Sequence, residues 1–210
     1  MVVLNVDHPD IMKFIRSKAE EEKKVLTLLD GGYNMYDLNN EAWNSIQYQN
    51  ANNSVRVTDE FMHAVQDGES YTTKYVQSGK EAESYMAADL MRSIAQAAWE
   101  CGDPGMQYDT TINKWHTCPA TGRINASNPC SEYMHVDNSS CNLASINLLH
   151  YLNDDATFNV KDFVHTVDVI ILAQDIVVDH SSYPTEAIEK NTHALRQLGL
   201  GYANIGSLFM

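Results

Sequence analysis

The chain has 210 residues, enough for one sizeable hydrophobic core, since domains cluster near about 100 to 150 residues and single cores keep growing to about 250. Its 44% hydrophobic and 20% charged residues, with 10 Gly and 5 Pro, exclude a disordered or low-complexity chain. Fourteen Lys and Arg against 28 Asp and Glu leave a formal charge of -14; that field repels phosphate backbones and anionic lipid, so neither a nucleic-acid polymer nor a membrane is expected as partner.

Residues 1–6 are an apolar, β-branched run, and Asp7-His8-Pro9-Asp10 is predicted to cap a helix whose buried stripe is Ile11, Phe14 and Ile15. The mixed-charge run over 18–24 reads as a solvated face of that helix, which Gly31-Gly32 ends. After a polar stretch over 39–53, Ser54-Val55-Arg56-Val57 predicts a short strand, and Thr58 caps a helix carrying Phe61, Met62 and Val65. Leu90, Ile94 and Ala97 or Ala98 mark another helix on the 3.6-residue period, stopped by Gly102-Asp103-Pro104-Gly105.

Apolar residues at 160, 163, 164, 167, 170, 171, 177 and 178 describe a strongly amphipathic helix. Asp168, Gln174 and Asp175 break that stretch as a membrane span, and no basic region followed by an apolar run opens the chain, which points to a soluble, cytoplasmic protein. Alternating strands and helices favour an α/β fold with a largely parallel sheet. The first strand starts at Met1 without a lead-in, and the apolar segment 205–210 stops without a capping signal. Both suggest an incomplete sheet, an internal piece of a longer chain.

Four cysteines, Cys101, Cys118, Cys130 and Cys141, form no CxxC pair, and in a reducing cytosol the ordinary role of such a thiol is a small buried hydrophobe. His63, His116, His135, His150 and His180 lack an i,i+4 His partner, so no metal site is assigned. Leu198-Gly199-Leu200-Gly201 lacks the third Gly and the acidic residue of a dinucleotide fingerprint and reads as strand-to-helix packing. Asn125-Ala126-Ser127 and Asn138-Ser139-Ser140 are formal sequons read as polar loop.

Chemistry concentrates in Asn125-Ala126-Ser127-Asn128-Pro129-Cys130-Ser131-Glu132 and in Ser140-Cys141-Asn142-Leu143-Ala144-Ser145. Pro129 disfavours helix at Asn128, so an extended or turned loop presents Asn128, Cys130 and Glu132 at two-residue spacing. A thiol can cycle through a one-electron state, a carboxylate can take a hydroxyl proton and an amide can orient the same substrate. On spacing alone, a turn with a satisfied Asn and a surface Glu is the competing reading.

The wider string Asn128-Pro129-Cys130-Ser131-Glu132 followed by Cys141-Asn142-Leu143-Ala144-Ser145-Ile146-Asn147-Leu148 resembles the catalytic subunit of ribonucleotide reductases. Residues 1–11, the segment Gly102-Asp103-Pro104-Gly105-Met106-Gln107-Tyr108-Asp109-Thr110-Thr111-Ile112-Asn113 and Leu198-Gly199-Leu200-Gly201-Tyr202-Ala203-Asn204 resemble barrel segments of that family in the same order, so the likeness covers essentially all of 1–210. The N-terminal strand, residues 45–54 and Trp115-His116-Thr117-Cys118-Pro119 resemble the adenosylcobalamin-dependent branch, class II.

The resemblance implies one partial domain over 1–210, part of a ten-stranded α/β barrel with a finger loop at its centre. It further implies that Cys130 is the radical cysteine, with adenosylcobalamin as radical source, that Glu132 takes the 3'-hydroxyl proton and that Asn128 hydrogen-bonds the sugar; Ser127 joins Asn128 and Glu132 as a substrate contact. Cys141 matches one member of the reducing pair, whose partner lies in an earlier barrel segment, leaving Cys101 and Cys118 as structural thiols. The implied partners are a ribonucleotide, a thioredoxin- or glutaredoxin-type reductant and a second copy of the full-length protein. A class I catalytic subunit served by a separate radical subunit, and a non-catalytic split-gene fragment, stay open as alternatives.

Overall fold

The computed structural model describes residues 1–210 apart from Met35 and Leu38, and for Glu41 and Ala42 only the backbone. The chain divides into two compact units, Met1–His135 and Val136–Met210.

In the first unit, strand β1 (Val2–Asn5) leads into helix α1 (Ile11–Asp30). The segment 7–10 precedes the helix as predicted, but without a side-chain cap on it: His8 Nδ1 accepts the Asp10 N–H at 3.0 Å, Pro9 lies ahead of the first turn, and the Asp10 side chain makes no capping bond. Ile11, Ile15, Ala19 and Val25 form the buried stripe. The run over 18–24 is not uniformly solvated as predicted, because positions 18 and 21 flank that stripe. Lys18 pairs with Asp103 at 2.5 Å, and the buried Glu21 accepts the Gln47 N–H at 2.9 Å. That backbone donor and Lys24 hold the Glu21 carboxyl below the usual range.

A short helix α2 (Glu41–Asn44) precedes β2 (Asn53–Val57). Thr58 caps α3 (Asp59–Asp67) as predicted, its hydroxyl accepting the Phe61 N–H at 3.3 Å. An antiparallel hairpin follows, β3 (Ser70–Lys74) and β4 (Glu81–Met86), before α4 (Ala87–Cys101) ends at Gly102, whose φ of 80° suits glycine. Strand β5 (Gly105–Tyr108) runs into α5 (Asp109–Lys114), and a two-residue antiparallel pair closes the unit, β6 (Ala126–Ser127) with β7 (Met134–His135).

Strands β1, β2 and β5 form a parallel sheet with β2 in the centre. The pleat sends alternate side chains of β2 to opposite faces. Val55 and Val57 join Ile11, Ile15, Phe61, Leu90, Ile94 and Ala97 in the core beneath α1, α3 and α4. Arg56 therefore faces the other way, and the strand register aligns Asn5, Arg56 and Gln107 in one polar row across the sheet.

The second unit contains β8 (Asn142–Asn147), α6 (Val160–His180), α7 (Glu186–Leu195), β9 (Leu198–Ala203) and α8 (Ile205–Phe209). Strands β8 and β9 pair in parallel, from Asn142 opposite Leu198 to Asn147 opposite Ala203. Helix α6 forms where periodicity predicts it, but most of its apolar stripe is not buried: Val160 and Val164 are at least half exposed and Ile171 and Val177 are exposed, whereas Val178 is buried beside Gln174. Two strands are too narrow a surface to cover twenty-one helical residues within this unit.

The sequence expectation of α/β architecture with parallel strands agrees with this mixed α/β fold. Among the described residues the sheets have three, two, two and two strands, without closure into a barrel. No helix among them is long and apolar enough to cross a membrane.

Candidate functional site

The polar row of the first unit is organised by Arg56, which is 2% exposed. Its Nε donates to Asp109 Oδ1 at 2.7 Å, Nη1 to Gln107 Oε1 at 2.9 Å and Nη2 to the Ile124 carbonyl at 2.5 Å. Burying a guanidinium is tolerable only when its donors are met this fully. Arg123 also pairs with Asp109. Asn113, on α5, donates to the Asp109 and Ile124 carbonyls, each at 3.0 Å, and accepts the Ile124 N–H at 2.9 Å. The chain entering β6 is thus pinned at Ile124 from two elements.

From that anchor the β6–β7 loop is built over residues 128–133. The Asn128 carbonyl accepts the Ser131 N–H at 3.0 Å, closing a turn with Pro129 and Cys130 at its corners, and Ser131 adopts φ 65°. Asn128 Oδ1 accepts the Tyr133 N–H at 3.0 Å, so the amide side chain clasps the far end of the loop. Ser127 Oγ lies 2.6 Å from Gln107 Nε2 and 2.7 Å from the Asn128 carbonyl. Cys130 and Glu132 are exposed, while Ser127 and Asn128 are half-buried. All four predicted residues of this segment consequently sit on one hydrogen-bonded hairpin.

Tyr133 stacks on His135 with ring centroids 5.7 Å apart and planes 3° from parallel, and His116 meets His135 edge-on at 6.1 Å. Burial, with His116 nearby, pushes the His135 imidazole below its ordinary pKa. A cavity of about 540 Å³ opens at the carboxyl ends of β1 and β2, lined by Asn5, His8, Arg56, Asp109, Arg123 and Ser127 among others. Crevices outside the carboxyl ends of parallel strands are where α/β folds bind ligands.

Cys141 belongs to the second unit, half-buried just ahead of β8, with Sγ 3.4 Å from the Asn142 carbonyl. Gln174 of α6, 6% exposed, donates from Nε2 to the carbonyls of Asn142 at 3.2 Å and Gly199 at 2.9 Å, and Asn142 Nδ2 donates to the Gln174 carbonyl at 3.0 Å. A Cβ at Gly199 would collide with Leu143 and lie 3.3 Å from Cys141 Sγ. The predicted packing role of this glycine is therefore strand against strand, beside the thiol.

The remaining cysteines divide. Cys101 is partly buried, donates to the Ala97 carbonyl at 3.3 Å, and burial pushes its thiol up, as suits a structural residue. Cys118, expected as a structural thiol, is exposed, at the start of the 3-10 turn Pro119–Thr121, whose residues are exposed as well. Among the described residues no disulfide occurs, and no group of three or more His, Cys, Asp or Glu is arranged to hold a metal.

Sequence reasoning missed the supporting residues Arg56, Gln107, Asp109 and Asn113. A readable signal existed at Arg56, a cation set between Val55 and Val57 on a strand buried on both faces. Gln174 was legible only as an interruption of an apolar helix.

Over residues 1–210 the chain matches the barrel domain of ribonucleotide reductase, and it belongs to that family. It is 54% identical over its whole length to a protein of Streptomyces clavuligerus named vitamin B12-dependent ribonucleotide reductase, of which it covers 22%. It is 51% identical over its whole length to a protein of that name from Rhodopirellula baltica, covering 20% of it. A vitamin B12-dependent ribonucleoside-diphosphate reductase of Mycobacterium tuberculosis is 33% identical across 99% of the chain, which covers 27% of that protein. The chain thus spans roughly a fifth to a quarter of the length of these relatives.

Proposed function

We propose that this chain is a catalytic segment of a cytoplasmic, B12-dependent ribonucleotide reductase that converts ribonucleoside diphosphates to 2'-deoxyribonucleotides. The observation that carries the reading is the β6–β7 hairpin, where an exposed Cys130 stands at a turn between a clasped Asn128 and an exposed Glu132. In this reading residues 1–210 are one partial catalytic domain, a portion of a ten-stranded α/β barrel that this chain does not complete.

An exposed thiol on a fixed turn fits a radical source that works by removing a hydrogen atom, and Cys130 is the residue presented to it. Bound adenosylcobalamin supplies that one-electron chemistry. The Cys130 thiyl then takes the ribose 3'-hydrogen, re-forming the thiol and leaving a carbon radical. Glu132 receives the 3'-hydroxyl proton as general base. Asn128, whose Oδ1 is engaged with Tyr133, offers its amide N–H groups to the sugar. Ser127 accepts from Gln107 and donates to Asn128, so it meets the substrate with its second lone pair.

The 2'-hydroxyl takes a proton from the thiol pair of Cys141 and a second cysteine outside this chain and leaves as water, and the pair gives its other hydrogen to the 2'-carbon as it closes to a disulfide, supplying two electrons. Cys130 returns its hydrogen to the 3'-carbon, Glu132 returns the proton, and a thioredoxin- or glutaredoxin-type protein reduces the disulfide. The substrate, this reductant and a second copy of the full-length protein are the partners.

The test is 3'-hydrogen exchange and product formation in the full-length protein. Cys130→Ser should abolish both, because a hydroxyl holds its hydrogen too strongly to yield it. Glu132→Gln should lower the rate by about 10²- to 10⁴-fold, the usual cost of losing a general base. Deoxynucleotide formation at the normal rate by the Ser variant would end the assignment.

A further inference from the structure

We propose that Gln107 is a positioning residue for the radical cysteine: it passes the fixed location of the Arg56 guanidinium, through the Ser127 hydroxyl, to the carbonyl that closes the turn around Cys130. The inference rests on the reading of Cys130 given above and adds to it the means by which the sheet holds the reactive loop in place.

The argument follows the direction of each hydrogen bond. Arg56 carries only donors, so the atom of Gln107 it meets at 2.9 Å must be Oε1. That fixes the amide orientation, since a flipped amide would set N–H groups against a buried cation. Nε2 is then obliged to point away from Arg56, and it donates to Ser127 Oγ at 2.6 Å. The single Ser127 proton has two neighbours, the Asn128 carbonyl at 2.7 Å and Ser131 Oγ at 3.4 Å, and the shorter contact takes it. The Asn128 carbonyl accepts a second bond from the Ser131 N–H at 3.0 Å, and Cys130 lies between those two residues.

Each link has one permitted direction, and the first is set by a charge that cannot be removed. Arg56 and Gln107 are both 2% exposed, so neither can be satisfied by water if the chain of bonds breaks. Polarisation runs the same way along the series and strengthens each bond in turn. The anchor is rigid for a separate reason. Arg56 and Gln107 are register partners on adjacent parallel strands, and Arg56 is also held by Asp109 and by the Ile124 carbonyl just ahead of the loop. The loop is therefore held at Ile124 directly and at Asn128 through the amide.

Gln107→Glu isolates this role. A carboxylate of the same size still accepts from Arg56, so the buried cation keeps its partners. It cannot donate, however, and the Ser127 proton turns to it, leaving the Asn128 carbonyl with one bond. Ser127→Ala breaks the next link, and Ser127→Thr restores a hydroxyl there.

The experiment measures amide hydrogen exchange and steady-state kinetics in the full-length protein. Gln107→Glu and Ser127→Ala should both speed exchange at the Ser131 and Tyr133 amides, leave the amides of α1 and α4 protected, and lower kcat by about 10²-fold, the loss expected from a misplacement of about 1 Å. In Gln107→Glu the nucleotide KM should stay within about twofold, and Ser127→Thr should recover most of the kcat lost in Ser127→Ala. Wild-type exchange at Ser131 together with unchanged kcat in Gln107→Glu would overturn the proposal, as would loss of protection throughout α1 and α4, which would make Gln107 a general stability residue. Failure of the underlying reading looks different: Cys130→Ser would then retain turnover, whatever Gln107 does to the loop.

Discussion

Cys130, in the first unit, hangs from a buried cation bonded to a carboxylate, an amide and a carbonyl, whereas Cys141, in the second, stands beside a neutral glutamine that bridges two strands by their carbonyls. Both devices fix a backbone within a residue or two of a thiol, but they differ in what they tolerate. A buried ion pair recovers little net energy over its desolvation, yet removing one partner leaves a stranded charge. A buried amide risks only the bonds it makes. The loop expected to carry a radical is thus held by the arrangement that tolerates less displacement, and the thiol expected to close a disulfide by the gentler one.

The largest effect should come from breaking the ionic arrangement. Arg56→Met leaves Gln107 Oε1 without its donor and Asp109 with Arg123 as its remaining cation, and should lower stability by about 3 kcal/mol, the low end for breaking a buried pair, read from denaturant midpoints of the full-length protein. A loss below about 1 kcal/mol would show the two devices to be equivalent. Gln174→Leu, similar in size but without donors, should cost about 1 to 3 kcal/mol and raise the alkylation rate of Cys141 while leaving that of Cys130 unchanged. Parallel changes at both thiols would mean that the two supports are not independent.

The smallest effect concerns pH. The folded His135 pKa lies below its unfolded value of about 6.5, so protonation favours opening of the hairpin. The contribution is fully present above about pH 6.5 and declines as pH falls through the folded value. Exchange of the Met134 amide, followed from neutral to mildly acidic pH, should accelerate relative to the α4 amides, and His135→Gln should flatten the profile. An identical profile in that variant would remove His135 from the comparison.

The proposed site residues stood out through the resemblance of 128–132 and 141–148 to a known family, since the Asn128, Cys130, Glu132 spacing alone also fits an ordinary turn. Their supports did not, since Arg56 reaches Gln107 and Asp109 only once two distant strands come into register. Local signals served well where the structure is local, as at Thr58 and Gly102. They failed where tertiary contact decides: the charge run on α1 dips into the protein at Lys18 and Glu21, and the apolar stripe of α6 meets only a narrow two-stranded surface. The β3–β4 hairpin went unannounced because its strands are short and mixed in polarity.

The row of Asn5, Arg56 and Gln107 has a bearing on solvent. A parallel sheet sandwiched between two helical layers needs oily surfaces above and below it. Here one surface is oily and the other lined with donors and acceptors, with the crevice at its strand ends bounded by Asn5, Arg56 and Ser127. A ligand arriving there exchanges hydrogen bonds with the solvent-reachable Asn5 and Ser127, while Val3, Leu4 and Val76 on the same wall let it hide hydrocarbon as well. Discrimination at such a wall depends on which positions of a ligand carry hydroxyls.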